Sequence, residues 1–397
     1  MKWEIRRLGE VLLIERGGSP RPIDKYITNS PDGINWIKIS DATVSDKYIY
    51  KTREKITRDG LHKTRVVNEG DFILSNSMSF GRPYIMKTTG CIHDGWLVLR
   101  QTDKKLFETE FLYYLLSSPY VFNQFNELAA GSTVRNLNIA LVSSVTIPIP
   151  PLSEQQRIVA ILDETFAAIT KANANAYQNL KNAKELFESY LQNVFANKGE
   201  GWEEKTLGEV CDIIGGGTPS KSNGKFYNGN IHWATVRDMK GEIVTDTEHK
   251  ITQDAVKRSS TNIIPKGNVI IATRVGLGKV CLLGNDTAIN QDLKGIVPKK
   301  TKELSIDFLF RWLKSISSKI IEEGTGATVQ GVKLPFIKSL KIAFPTLTAQ
   351  NSIVQKLEAL SGETKKLETI YQQKLNDLEE LKKSILQKAF NGRLKTS

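Results

Sequence analysis

Side chains able to make or break bonds are scarce in this sequence, and the fragments that come nearest fail for specific reasons. A base-flipping adenine methyltransferase holds its target with an Asn/Asp-Pro-Pro-aromatic loop, which does not occur. Pro150-Pro151 follows Ile149 and leads into a run with helical periodicity. Gly215-Gly216-Gly217 and Val275-Gly276-Leu277-Gly278-Lys279 are Gly-rich. Neither has the Gly-x4-Gly-Lys-Ser/Thr spacing that wraps backbone amides round a phosphate, so both read as tight turns. Asp103-Lys104-Lys105, with Pro31-Asp32 upstream, is a fragment of a metal-nuclease pattern too common to carry cleavage. His62, His93, His232 and His249 are scattered without ligand spacing. Cys91, Cys211 and Cys281 form no metal or disulfide pattern and read as buried thiols of a reducing cytoplasm. The expectation is a protein that binds without catalysing, with no cofactor and no metal.

Charge says what it could bind. The net charge is +12, from 55 basic and 43 acidic residues. Residues 1–150 hold +4 and residues 202–345 hold +6, whereas 151–201 hold −1 and 346–397 hold +3. A basic excess favours a polyanion, because each Lys or Arg set against a phosphate releases condensed counterions. Hydrophobic content of 40% and charged content of 25% are those of a globular protein. No stretch approaches the 18 apolar residues of a membrane span, and the N-terminus lacks the apolar core of a secretory signal. A cytoplasmic location without membrane contact is expected.

The elements that must position such contacts occur twice. Trp3-Glu4 and Leu8-Gly9-Glu10-Val11 return as Trp202-Glu203 and Leu207-Gly208-Glu209-Val210, at an offset of 199. Gly17-Gly18-Ser19-Pro20 returns as Gly216-Gly217-Thr218-Pro219. Trp36…Asp41 returns as Trp233…Asp238, and residues 66–73 return as 263–270, at 197. Gly131-Ser132-Thr133-Val134 matches Gly326-Ala327-Thr328-Val329, and Pro150–Gln155 matches Pro345–Gln350, at 195. An ordered series with so small a drift is a duplication. The period is too long for a solenoid, so whole domains are repeated, related by a pseudo-two-fold axis. Dimeric DNA readers use such symmetry to place two recognition elements on two half-sites.

Each module has two parts. Val66-Val67, Phe72-Ile73-Leu74 and Trp96-Leu97-Val98-Leu99 are strand-like runs punctuated by Gly, Asp and Asn. One helix is expected over Glu110–Asn123, with a counterpart over Ile306–Ile321. The globular part is thus α+β, with an irregular twisted sheet and long loops, where sequence-reading side chains usually sit. From Glu154 to Phe195 there is neither Gly nor Pro. Ser153 as N-cap with Gln156 three residues on predicts the start of a long helix. Ile158, Leu162, Thr165, Ile169, Ala172, Ala176, Ala183, Leu186 and Tyr190 recur in steps of three and four, with a gap at Asn179. The second copy has Ile353, Leu357, Leu360, Leu367, Tyr371, Leu378, Leu381 and Ile385, interrupted by Thr364 and Lys374. That average step is a coiled-coil seam, and about 42 residues would make a rod of roughly 60 Å. A helix so long needs a partner helix. An antiparallel pair of the two copies is expected, with a kink at Gly362. The domains are therefore 1–150, 151–198 (helix), 199–345 and 346–397 (helix).

With these residues in hand, the chain resembles the specificity subunits of Type I restriction-modification enzymes. Pro150-Pro151-Leu152-Ser153-Glu154-Gln155-Gln156-Arg157-Ile158-Val159 is similar to the entry of that family's central helix. The paired Trp…Leu-Gly-Glu-Val openings, the Gly-Gly-Ser/Thr-Pro pairs and the ending Ile385-Leu386-Gln387-Lys388-Ala389-Phe390-Asn391-Gly392 fit as well. The second helix entry departs from the pattern at Thr346 and Ala349. The resemblance implies two target recognition domains, each reading half of a split site on double-stranded DNA. It implies that the helices act as a spacer and dock two methyltransferase subunits of an adenine-N6 enzyme, joined by motor-nuclease subunits. Because the two domains differ at most positions, an asymmetric site is expected. The competing readings are a coiled-coil adaptor without DNA contact and a self-contained DNA-modifying enzyme. Basic charge in the globular parts opposes the first, and the missing catalytic motifs oppose the second.

Arg, Lys, Asn, Gln, Ser and Thr on loops can reach base edges or phosphates. In the first domain the candidates are Lys38, Ser40, Asn76, Ser77, Ser79, Arg82 and Arg135. In the second they are Thr235, Arg237, Thr273, Arg274, Lys279 and Gln330. Arg82 and Lys279 follow the aligned Gly81 and Gly278, where the backbone could approach a phosphate closely.

Overall fold

A computed structural model describes residues 3–76, 80–130, 136–325 and 331–394. The chain forms two compact units, Met1–Tyr177 with Gln373–Ser397, and Gln178–Gln372. Each unit therefore contains one globular part and half of each long helix.

In the first unit the central five-stranded sheet has the order Leu12–Arg16, Trp96–Gln101, Phe72–Ser75, Pro83–Met86, Tyr48–Ile49. Strand alternation sends successive side chains to opposite faces. Phe72, Leu74, Ile85, Leu97 and Leu99 join the core shared with the helices. Ile73, Tyr84, Met86, Trp96 and Val98 join a second core on the other face. Burial on both faces is why these strands read as unbroken apolar runs. A second sheet carries Ile27–Thr28, Glu54–Ile56, Ile34–Ile37, Gly90–Ile92 and Arg65–Val67 in that order. A two-stranded ribbon pairs Glu4–Arg7 with Thr146–Ile149.

The second unit repeats the plan. Its central sheet runs Cys211–Gly215, Leu293–Pro298, Val269–Ala272, Val280–Leu283, Ile243–Val244. Its second sheet has four strands, His249–Ile251, Ile231–Ala234, Thr287–Ile289 and Asn262–Ile264. The ribbon returns as Glu203–Thr206 with Lys341–Phe344. All three cysteines are buried and free, and burial pushes the Cys211 thiol up to about 12.

Three sequence expectations change. The single helix over Glu110–Asn123 is two, Thr109–Leu116 and Pro119–Ala129. Pro119 has no amide to continue the first helix and suits the first turn of the next. Ser118 caps that turn, accepting from the Val121 amide. The counterpart also divides, into Ile306–Ser315 and Ser317–Glu322. The central helix, Leu152–Ala196, starts ahead of Ser153. The amides of Glu154 and Gln155 both donate to the Pro151 carbonyl.

The helix seam also shifts. Ile158, Leu162, Ile169, Ala176 and Ala183 are buried. Beyond Ala176 the stripe passes through half-buried Leu180 and Phe187 to buried Leu191, leaving Leu186 and Tyr190 exposed. In the C-terminal helix, Leu347–Phe390, the buried positions are Gln350, Val354, Leu357, Ser361, Thr364, Leu375, Leu386, Ala389 and Phe390. Tyr371, Leu378 and Ile385 are half-buried on the same stripe. Ile353 and Leu360 flank it, and Leu367 and Leu381 are exposed. Half of the large apolar series, Ile353, Leu360, Leu367 and Leu381, lies off the stripe, because Ser361 and Thr364 take buried places on it. The Thr364 hydroxyl donates to the Leu360 carbonyl at 3.0 Å, so its burial leaves no donor unmet. The helix runs through Gly362 without interruption.

Within the first unit Ile158 and Leu162 share a core with Leu386, Ala389 and Phe390, while Phe166 lies under Lys382. Partner numbers fall as central-helix numbers rise, so the pair is antiparallel.

Candidate nucleic-acid interface

The Gly-Gly-Ser/Thr-Pro loops lie against the segment that precedes the long inner strand of each central sheet. A Cβ on Gly17 would stand 2.1 Å from the His93 carbonyl oxygen, and one on Gly216 would stand 2.0 Å from that of Asn290. Only glycine permits that approach. It sets each loop beside a buried tryptophan, Trp36 or Trp233, and opens a cleft there. The first cleft, of about 1290 Å³, gathers Arg21, Trp36, Lys38, Ser40, Glu54 and His93 among others. The second, of about 690 Å³, gathers Lys221, Trp233, Thr235, Arg237, Glu248 and His249 among others. Four sequence candidates, Lys38, Ser40, Thr235 and Arg237, thus meet in two equivalent places.

The linings carry the same balance of charge, two cations and two carboxylates each, but differ in how these are paired and in the rings and polar groups beside them. In the first cleft Lys38 pairs with Glu54. Asp94 accepts from the Ser19 hydroxyl at 2.7 Å and lies 3.6 Å from Arg21. The Ser19 hydrogen bond holds the Asp94 carboxyl below the usual range against the effect of burial. Burial lowers the His93 imidazole, favouring its neutral form despite Asp94. In the second cleft Tyr227, Trp233 and His249 form a mutual aromatic cluster, with ring centroids 5.9 to 6.3 Å apart. Thr235 and Asp238 cap the short turn Val236–Asp238, which lifts Arg237 to an exposed position on the lip.

The remaining candidates divide. Asn76 and Thr273 are buried. The Asn76 amide donates to the Asp94 carbonyl, and the Thr273 hydroxyl to that of Asp292. Both tie the end of their strand to the loop before the inner strand and present almost nothing to solvent. Arg274 pairs with Asp292 at 3.5 Å, which puts it at the rim of the second cleft. Arg82 pairs with Asp46 at 3.4 Å, beside the Tyr84 ring. Lys279 lines a different cleft, of about 570 Å³, with Lys240, Lys314 and Lys365. Gly81 and Gly278 have φ of +72° and +83°, the left-handed backbone that turns the chain just before these two cations. Ser77, Ser79, Arg135 and Gln330 lie outside the described residues, as do the two Gly-Ser/Ala-Thr-Val stretches.

Sequence reasoning missed Arg21, Lys221, His93 and His249 at the clefts. The signal was present for Arg21, which directly follows the repeated Gly-Gly-Ser-Pro. Among the described residues no cluster of His, Cys, Asp or Glu could hold a metal ion, and no helix is long and apolar enough to cross a membrane.

A twice-repeated globular domain, each with a charged aromatic cleft and half of a helix pair, defines a class of tandem recognition modules. A family profile described as "Type I restriction modification DNA specificity domain" matches residues 1–182 and again 199–380, and the chain belongs to that family. It is a specificity subunit with two target recognition domains, distinct from the enzymatic subunits of such systems. The specificity subunit of the Escherichia coli Type I restriction enzyme EcoR124I/EcoR124II is 33% identical over 247 residues, which cover 59% of each chain. The putative MjaX specificity subunit of Methanocaldococcus jannaschii is 26% identical over 99% of this chain and 94% of its own. The fold matches that of the HsdS subunit from Thermoanaerobacter tengcongensis with a TM-score of 0.64 at 23% identity, covering 99% and 97% of the two chains. A chain from a study of assembly and conformational transition of the type I R-M system gives a TM-score of 0.79, also at 23% identity, covering 99% and 98%.

Proposed function

We propose that this chain reads a bipartite, asymmetric site on double-stranded DNA, each recognition domain contacting one half-site through the face that carries its cleft. The observation behind this is the pair of equivalent clefts whose charged residues are flanked by unlike groups, Pro22, Ile23, Ile27 and Ser40 in one and Tyr227, Thr235, Asn290 and Gln291 in the other. Unlike donors and acceptors at one place in a repeated scaffold select unlike bases. Arg21, Lys38, Ser40, Thr235, Arg237 and Arg274 are the residues we assign to DNA contact, with Arg82 and Lys279 as phosphate contacts. The helices fix the separation of the half-sites. Their exposed apolar residues, among them Leu186, Leu367, Ile370 and Leu381, dock two methyltransferase subunits, and motor-nuclease subunits join that complex in the cytoplasm.

Methylome sequencing of cells expressing the chain with its methyltransferase tests the reading. The expected result is N6-methyladenine in a split motif with two different halves, dependent on this chain. A palindromic or undivided motif overturns it. A mobility-shift assay with and without the methyltransferase separates DNA reading from a purely adaptor role.

A further inference from the structure

Each unit fastens its globular part to the two helices through a joint, and the two joints agree in one layer and are inverted in the next. The shared layer is aromatic. Phe111 meets Phe390 at 5.4 Å between ring centroids, and Phe308 meets Phe195 at 5.2 Å. Leu386 and Leu191, each four residues before its phenylalanine, are both buried. Counting from these anchors, Tyr114 corresponds to Arg311 and Lys382 to Phe187. Counting from Gln155 and Gln350, Phe166 corresponds to Ser361. The Ile85 amide donates to the Lys47 carbonyl at 2.9 Å and the Leu282 amide to that of Glu242 at 2.8 Å, so Lys47 and Glu242 also correspond.

At these four places the residues are exchanged in kind. In the first unit Lys47 pairs with Glu110 and stands 4.8 Å from the ring centroids of both Tyr113 and Tyr114. The Tyr114 hydroxyl donates to Asp163 of the central helix, and its ring meets Phe166 at 5.5 Å. Lys382 lies 5.2 Å over Phe166. In the second unit an anion stands where Lys47 stood. Glu242 accepts from Arg311 at 2.9 Å and lies 3.8 Å from Lys365. Arg311 is buried and stacks on Phe310 at 5.1 Å and Phe187 at 5.9 Å. Both aromatics lie on the central helix: the first joint takes Phe166 from the part near its start, and the second takes Phe187 from the part near its end.

We propose that this inverted layer keys each recognition domain to its own end of the helix pair. Moved to the other end, the first domain would set Lys47 against Lys365, cation against cation. A joint made from two copies of the first half would bring Phe166 and Phe187 to positions where each native joint has one aromatic. The interaction surface of each domain therefore fits one partner, the native helix ends, and rejects both domain exchange and self-pairing of halves. Mismatched charges in a partly buried contact are a strong discriminator.

The test uses the full chain and thermal melting. The domain-side swap K47E/Y114R and the helix-side swap F166S/K382F should each lower the melting temperature by roughly 5 °C. The four-residue variant rebuilds the second joint's chemistry at the first, and should return to within about 2 °C of the parent, far from additive. A loss in the four-residue variant equal to the sum of the two overturns the proposal, as does a domain-side swap that leaves melting unchanged. If either double variant fails to fold, the mirrored set E242K/R311Y with S361F/F187K is read the same way. Failure of both four-residue variants to fold overturns it too.

Discussion

Gln155 and Gln350, in the first turns of the two long helices, make the same three hydrogen bonds. Gln155 Nε2 donates to the carbonyls of Leu106 and Pro150, and its Oε1 accepts from the Glu108 amide. Gln350 Nε2 donates to the carbonyls of Glu303 and Pro345, and its Oε1 accepts from the Ser305 amide. Both are fully buried. Each amide ties its helix start to the loop that feeds the neighbouring helix, which in turn supplies the aromatic of the joint.

Removing either amide leaves a buried N–H and two carbonyls without their partner. Gln155→Leu and Gln350→Leu should each cost about 3 kcal/mol of unfolding free energy, read from urea melts. Near-equal losses are expected because the bonding is the same. A loss below about 1 kcal/mol for either would mean that water replaces the clasp there.

The two possible seams in the C-terminal helix predict different costs for the same substitutions. Leu357 is fully buried, whereas Leu367 and Leu381 are exposed. Leu357→Ala should cost about 3 kcal/mol, and Leu367→Ala or Leu381→Ala less than about 0.5 kcal/mol. If the apolar periodicity alone set the seam, all three would cost the same. Under the proposed docking role, the two exposed leucines instead affect co-purification with the methyltransferase.

The duplication, the α+β domains and the helix pair were legible in the sequence because they rest on periodicity and order, which side-chain type alone records. Burial is not recorded that way. Asn76 and Thr273 have side chains suited to base contact, but both face inward to carbonyls. Thr364 reads as an interruption and Ser361 falls outside the apolar series, but both are buried on the seam. The clefts depend on which distant loops meet, and only the repeated glycine pair, demanded by backbone approach to His93 and Asn290, hinted at where.

Contact and support should separate experimentally. Arg237 is exposed on the lip of the second cleft. Arg237→Ala should leave melting unchanged and weaken binding of the assembled complex to its target about tenfold, roughly 1.4 kcal/mol. Asn76→Ala should lower unfolding stability by about 1 kcal/mol, because the Asp94 carbonyl loses its buried donor and keeps only the Arg16 Nε–H. Unchanged DNA affinity with Arg237→Ala would remove that residue from the interface.

The Arg311–Glu242 pair should give the second unit an acid-sensitive term. Burial raises the Glu242 carboxyl, but the Arg311 hydrogen bond and the charges of Arg311, Lys365 and Lys314 outweigh it, leaving the carboxyl below its ordinary value. A carboxyl depressed in the folded state binds its proton more readily in the unfolded chain. Its stabilising contribution is therefore complete above the unfolded value of about 4.3 and disappears as pH falls through the lower folded value. Glu242→Gln leaves buried Arg311 without its counter-charge and should cost about 3 kcal/mol at pH 7. The gap between parent and variant should hold from pH 7 to pH 5 and then narrow on further acidification, in urea melts at each pH. A gap that stays constant down to pH 3 would show that the carboxylate charge contributes nothing to the joint.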